Sequence, residues 1–145
     1  MSDSDLMQLY SRRILALTAA MPHAGRLPAP QGTAMRRSPQ CGSSVTVDLT
    51  VANGRIADFA QEVRACALGQ ASASVLGSAV IGRSRDEIAR AREALYAMLK
   101  QNGAPPDGPY AELEALLPAR DYPNRHASIL LAWDATLAAM DEAEA

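Results

Sequence analysis

The sequence contains few aromatic residues and few cysteines, and each shortage excludes a class of protein. Aromatic residues make up 4% of its 145 residues, with one Trp and one Phe, so the core has to be built from aliphatic side chains. Two cysteines, Cys41 and Cys66, are too few for the disulfide framework of a small secreted domain. If these thiols have a role, we therefore expect metal binding or thiol chemistry.

Long apolar runs and an excess of positive charge are also missing. No apolar run reaches the ~18 residues that a transmembrane helix needs, and the acidic, polar start of the chain does not resemble a signal peptide. The net charge is −2 and the isoelectric point is near 5.6, so there is no basic field for nucleic acid. We therefore expect a cytoplasmic protein with no membrane partner and no nucleic-acid partner.

The clearest structural signal is a β-hairpin in the middle of the chain. Apolar and polar residues alternate from Val45 to Val51, which predicts a half-buried strand. Asn53-Gly54 supplies the two residues with positive φ that a type I′ turn requires, so a returning strand is expected from about Arg55 to Ala65. A short strand over residues 32–37 would complete a three-stranded antiparallel sheet.

Helical signals occupy the rest of the chain, and together with the strands they predict an α+β fold. We expect a small three-stranded antiparallel sheet with helices packed on one face, in a single domain over residues 1–145. The first predicted helix is capped by Asp5 and ends before Pro22. A small-residue helix over 67–81 is suited to packing on the sheet, and the capping box of Ser84 and Glu87 opens the next helix. A short helix over 110–117 is stopped by Pro118, and a last helix follows Pro123.

The two cysteines lie in connections that the predicted fold brings to the same end of the sheet. Cys41 precedes the alternating strand, and Cys66 lies where the second strand of the hairpin gives way to a helix. A helix N-terminus favours a thiolate through its free N–H groups. The alternative is that both are buried small hydrophobic residues, as free cysteines often are. Spacing alone leaves both interpretations open.

The order of short motifs along nearly the whole chain resembles the U-type iron–sulfur cluster assembly scaffolds, and is closest to their SufU-like branch. The insertion typical of that branch is similar to residues 111–116. The other matching segments are Tyr10 with Ile14, Pro22 before Gly25-Arg26-Leu27, Cys41-Gly42-Ser43, Gly54-Arg55-Ile56-Ala57-Asp58, Cys66 with Ala71-Ser72-Ala73-Ser74, and Pro123-Asn124-Arg125 through Ser128 to Trp133.

Two positions depart from the pattern of that family. The resemblance implies that four residues hold zinc or the nascent cluster: the two retained cysteines, an aspartate after Cys-Gly, and a third cysteine. In this sequence Ser43 stands in place of the aspartate and Ser128 in place of the third cysteine. A protonated hydroxyl is a poor ligand for zinc and for cluster iron. His126 is a further candidate ligand. The alternative is a surface or capping role, because an offset of two residues turns its side chain ~200° from Ser128 on a helix.

The resemblance implies an iron–sulfur cluster assembly scaffold or sulfur acceptor, which is not an enzyme. It would hold a transient Fe–S cluster or zinc through Cys41 and Cys66, or no cofactor because two ligand positions are substituted. The implied partners are a cysteine desulfurase and apo iron–sulfur proteins, with the chain a monomer or a cluster-bridged dimer. The alternative is a degenerate family member that acts as a metal-free protein-interaction module.

Overall fold

A three-stranded antiparallel sheet forms one layer of the fold in the computed structural model, which describes residues 10–39 and 42–144. The strands are β1 (Gly32–Arg37), β2 (Ser44–Ala52) and β3 (Arg55–Arg64), in the order β1-β2-β3. At one end of the sheet, Ser44 of β2 faces Arg37 of β1 and Arg64 of β3. The three strands and their antiparallel pairing are confirmed.

The hairpin between β2 and β3 forms as its turn residues predict. Asn53 and Gly54 have φ values of +55° and +74°, the left-handed conformation that a type I′ turn needs at both positions. The register then shifts between Thr50 and Val51, where a bulge interrupts the pairing with β3. Val45, Val47 and Leu49 are buried, so the alternation in β2 marks the face turned toward the core.

In the described part of the chain, four α-helices make the second layer, on one face of the sheet as predicted. They are α1 (Arg12–Ala19), α2 (Ala67–Ser78), α3 (Arg85–Lys100) and α4 (His126–Glu144). The helix α4 packs directly on β1 and β2, while α2 and α3 pack on α4. The small side chains of α2 therefore serve close packing on a helix, and only a few of its residues reach β3. The sequence predicts a helix suited to close packing on the sheet, whereas its main packing partner is α4.

The starts of the helices follow their capping residues. The predicted capping box of α3 is present, since Ser84 Oγ accepts from the Glu87 N–H at 3.2 Å and the Glu87 carboxylate accepts from the Ser84 N–H. The described helix α1 begins later than predicted, because Ser11 caps it and Tyr10 lies in a turn. The proposed cap Asp5 lies outside the described residues.

The segment before α4 differs from its prediction. A 3₁₀-helical segment spans Gly108–Asp121, interrupted at Tyr110 by non-helical backbone angles (φ −109°, ψ 18°), and a second short one spans Pro123–Arg125. Pro118 was expected to end a helix but lies inside the first segment. A proline removes one hydrogen-bond donor, and a chain of short 3₁₀ turns tolerates that loss better than a continuous α-helix does.

The opposite face of the sheet carries a buried carboxylate, Asp48. Its oxygens accept hydrogen bonds from Arg26 Nε at 2.6 Å, from the Leu27 N–H at 3.0 Å and from Thr33 Oγ1 at 2.7 Å. Burial alone raises the pKa of Asp48, but these bonds outweigh it and hold the pKa below its ordinary value. The loop that contains Arg26 is thereby fixed against the sheet.

No helix within residues 10–39 and 42–144 is long and apolar enough to cross a bilayer. That finding agrees with the absence of a long apolar run in the sequence.

Candidate functional site

The side chain of Cys66 lies at the start of α2, at the end of the sheet where β3 stops. Cys66 is the N-cap residue of this 12-residue helix, with extended backbone angles of φ −63° and ψ 169°. A capping residue normally offers an oxygen to the free N–H groups of the first turn, and Cys66 makes no such bond. Cys66 is partly exposed, at the end of the helix whose free N–H groups carry partial positive charge.

Two serine hydroxyls continue from the sulfur of Cys66 into the protein. Cys66 Sγ lies 3.5 Å from Ser128 Oγ, and Ser128 Oγ donates to Ser43 Oγ at 3.1 Å. Both serines are buried, with 1% and 4% of Ser128 and Ser43 exposed. The fold therefore brings together residues that are 62 and 85 positions apart. We refer to Ser43, Cys66 and Ser128 as the site row.

A tight turn between β1 and β2 positions Ser43. The Ser38 N–H donates to the Ser43 carbonyl at 2.8 Å, and the Gly42 N–H donates to the Ser38 carbonyl at 3.0 Å. Gly42 has a φ of +72°, a conformation that favours glycine. Cys41, the other predicted thiol ligand, belongs to the same connection but lies outside the described residues.

Gly69, which the sequence analysis did not name, and Ser72, which it named only within a matching motif, link the helices of Cys66 and Ser128. Gly69 lies against Ser128, since a Cβ at that position would be 2.5 Å from Ser128 Oγ. Deeper along the same helices, Ser72 Oγ donates to the Ile129 carbonyl at 2.7 Å and accepts from Trp133 Nε1 at 2.9 Å. The small-residue composition of α2 is the sequence signal that could have identified both contacts.

His126 is not part of the site row. Its side chain is 2% exposed, so a surface role is excluded. Lys100 Nζ lies 3.2 Å from Nδ1 of His126, and because a lysine ammonium only donates, this ring nitrogen is the acceptor. The Nε2–H of His126 therefore donates to the Ala119 carbonyl at 2.8 Å. Burial lowers the pKa of His126, the bond to Ala119 opposes this, and the charge of Lys100 lowers it further. Both ring nitrogens are therefore engaged away from Cys66.

Among the residues that the structure describes, the donor set around the site row does not fit a zinc site. Structural zinc takes four ligands from thiolates, imidazoles and carboxylates. Residues 10–39 and 42–144 contain no group of three or more such side chains that could hold a metal ion. Cys66 is the one thiol in that part of the chain, and the two side chains joined to it are hydroxyls.

Comparison with known proteins places this geometry in a family. Residues 9–142 match the family model of the NifU-like N terminal domain. The chain belongs to that family. The resemblance drawn from the motifs is thereby confirmed for nearly the whole length of the sequence.

Individual relatives agree with the family assignment. The chain is 26% identical over 135 residues to the iron–sulfur cluster assembly scaffold protein IscU of Streptococcus pyogenes serotype M1, covering 93% of this chain and 84% of that protein. The crystal structure of the N-terminal part of a nitrogen-fixing NifU-like protein from Brucella abortus has a TM-score of 0.94 at 45% identity, with 97% of each chain covered. FiSufU, from Fervidobacterium islandicum AW-1, shares the fold with a TM-score of 0.83 at 21% identity, with 92% of this chain and 98% of that one covered.

Proposed function

We propose that this chain acts in iron–sulfur cluster assembly, as a scaffold or sulfur acceptor that uses the thiols of Cys41 and Cys66. The observation that supports this function best is the site row, because it joins three of the four positions that the motif alignment assigns to the site of the U-type scaffolds. The function of the curated relative from Streptococcus pyogenes, a cluster assembly scaffold, supports the same proposal. On this view residues 1–145 form one scaffold domain.

Sulfur acceptance follows from the surroundings of Cys66. An anionic Cys66 sulfur attacks the outer sulfur of a persulfide on a cysteine desulfurase. The S–S bond of the donor breaks, a new S–S bond forms on Cys66, and the donor leaves as a thiolate. Cys66 begins α2 without a capping bond of its own, and its sulfur lies 3.5 Å from Ser128 Oγ, whose hydroxyl hydrogen would have to turn from Ser43 Oγ to donate to the anionic sulfur. The proton bound to the Cys66 thiol passes to solvent, because that residue is partly exposed.

A cluster would be cargo for this chain, and two chains would share it. A [2Fe–2S] cluster takes four protein ligands, whereas one chain offers two thiols. Cys41 and Cys66 from each of two chains complete the set. We therefore infer a monomer without cargo and a cluster-bridged dimer with it, which passes the cluster to apo iron–sulfur proteins. Such a role requires no catalytic turnover by this chain.

A second candidate function is a metal-free interaction module. It is favoured by one specific observation, that hydroxyls occupy two positions of the site row where the family pattern has an aspartate and a cysteine. Under this alternative the fold is retained for contact with other proteins, and the thiols carry no sulfur.

Sulfur transfer distinguishes the two candidates. The purified chain is incubated anaerobically with a cysteine desulfurase and cysteine, and its intact mass is measured. We expect a mass increase of one sulfur atom on the wild type that a reductant reverses, and its loss in the Cys66→Ser variant. The Cys66→Ser/Ser78→Cys variant is the matched control, because it restores the number of thiols at an exposed position of α2.

Reconstitution with iron and sulfide tests the cargo. We expect about one cluster for two chains, together with a shift to dimer in size-exclusion chromatography. Neither Cys41→Ser nor Cys66→Ser should give the cluster or the dimer. A folded wild-type chain that accepts neither sulfur nor cluster would establish the interaction module instead.

A further inference from the structure

A groove beside the site row combines an apolar floor with a basic rim. It has a volume of about 520 Å³ and lies between the end of β1, the end of α3 and the start of α4. Ala127, Leu130 and Leu131 of α4 line its floor, and Arg36, Arg37 and Lys100 lie around it. Apolar surface next to charges of one sign suits an amphipathic partner better than a purely polar ligand.

The cations of the rim are uncompensated. Arg36 and Arg37 are exposed, and neither forms an ion pair with any residue in the described part of the chain. Lys100 contacts the His126 ring, which is neutral in this arrangement and leaves the charge of the ammonium in place. The one carboxylate of the groove, Asp134, is already bound to Arg92 at 3.0 Å.

This positive potential is local, because the chain as a whole carries a net charge of −2. Some arginines elsewhere pair with carboxylates, as Arg26 does with Asp48 and Arg85 with Asp141, whereas Arg36 and Arg37 are adjacent, exposed and unpaired among the described residues. Unpaired charges of one sign at a rim attract a partner of the opposite sign and orient it during association. The pattern therefore favours an acidic partner at this place.

We propose that this groove binds an acidic, amphipathic segment of a partner protein. Its apolar side chains would cover Ala127, Leu130 and Leu131, and its carboxylates would pair with the guanidinium groups of Arg36 and Arg37. A helix laid into a groove buries apolar side chains along one face and leaves the other face for charge, which is the division this surface requires.

The groove shares a wall with the site row. Ser38 and Pro39 line the groove, and the Ser38 N–H holds the Ser43 carbonyl. Ser38 Oγ is also buried, and no residue that the structure describes gives it a hydrogen bond. A segment bound in the groove would lie against the turn that leads to Ser43. The proposal does not depend on sulfur or cluster chemistry, and its test uses neither.

Binding is measured by fluorescence anisotropy with a labelled synthetic peptide of about fourteen residues, with Glu and Leu at helical spacing. We expect wild-type binding that weakens as salt is raised. Arg36→Glu with Arg37→Glu should weaken it about tenfold or more. The matched control is Arg12→Glu with Arg90→Glu, which makes the same change in net charge at exposed positions outside the groove, and should bind like the wild type.

The floor is tested separately through Ala127, which is exposed. Ala127→Asp should weaken peptide binding. Ala127→Asn, whose side chain is nearly the same size as that of Asp but neutral, should weaken binding much less. A peptide in which Ser replaces every Leu should bind at least about tenfold more weakly.

Three results would overturn the proposal. Equal binding of the Glu/Ser peptide would show attraction by charge alone. Displacement of the labelled peptide by inorganic pyrophosphate at comparable concentration would indicate a small-anion site. Tighter binding of a duplex oligonucleotide, lost with Arg36→Glu/Arg37→Glu, would indicate a nucleic-acid surface.

Discussion

Replacing Ser128 by Cys and Ser43 by Asp should give this chain a zinc site. The two substitutions would place a thiolate and a carboxylate beside Cys66, and with Cys41 they would supply four ligands of the types that zinc prefers. Ser43 and Ser128 are already in contact, so the new side chains would start from a converged geometry.

The distances in the site row are close to those of a tetrahedral zinc site. With Zn–S bonds of about 2.3 Å, two thiolates on one ion lie about 3.8 Å apart. Cys66 Sγ and Ser128 Oγ are 3.5 Å apart, so a sulfur at position 128 would have to move by only a few tenths of an ångström. Gly69 lies against Ser128 and has no Cβ, which leaves α2 able to remain where it is.

The expected gain is large enough to measure by two methods. At a free zinc concentration about 1,000 times Kd, binding stabilises the folded chain by about 4 kcal/mol. For a domain of this size that corresponds to an increase in Tm of about 10–15 °C. Elemental analysis should give about one zinc ion per chain, and EDTA should remove both the metal and the gain in Tm.

Exposed positions provide the control. Ser78→Cys with Gln101→Asp adds the same two groups away from the site row and should change neither zinc content nor Tm. If Ser43→Asp/Ser128→Cys leaves the zinc content unchanged while the chain stays folded, these two positions do not complete a site with the cysteines, and the motif alignment on which they rest is refuted.

Two further predictions concern stability. Because the pKa of Asp48 is lowered in the folded state, its contribution to stability is present above the pKa of the unfolded state and is lost as pH falls through the folded pKa. Urea unfolding of Asp48→Asn should show about 2 kcal/mol less stability at neutral pH and a weaker dependence of stability on acid. An unchanged dependence of stability on pH would mean that the contact with Arg26 does not stabilise the fold. Ser72→Ala should lower the free energy of unfolding by about 1–3 kcal/mol and alter the fluorescence emission of Trp133, the one Trp of the chain. The control Ser78→Ala, at an exposed position, should do neither. Unchanged emission in Ser72→Ala would contradict the role given to the hydrogen bond between Ser72 and Trp133.

The sheet was predictable from sequence because its signals are local. Alternation over Val45–Val51 and the Asn53-Gly54 pair specify a hairpin through rules that involve neighbouring residues only. The same holds for α3, where a capping box opens the helix and five apolar residues at helical spacing are buried. They are Ile88, Ala91, Leu95, Met98 and Leu99.

The features that sequence reasoning missed depend on contacts between distant segments. The sequence indicates a ligand, surface or capping role for His126, but Lys100 and Ala119, which are 26 and 7 residues away, enclose it. Likewise, the packing of α2 on α4 depends on the absence of a Cβ at Gly69, which a propensity rule reads only as a weakness in a helix. The convergence of Ser43, Cys66 and Ser128 was reached through family resemblance, since spacing alone left the cysteines ambiguous.

The hydrogen bonds of Ser72 fix the spacing of two of the three residues in the site row. Cys66 begins α2 and Ser128 lies in the first turn of α4, and the bonds from Ser72 to Ile129 and Trp133 join these two helices just beneath them. The separation of Cys66 and Ser128 is therefore a property of the helix pair. Ser43 reaches the site from the other side, through the connection that also contains Cys41. In the proposed function, a single sulfur atom on Cys66 would be held by the helix pair alone, whereas a cluster would also take Cys41, from the connection between β1 and β2.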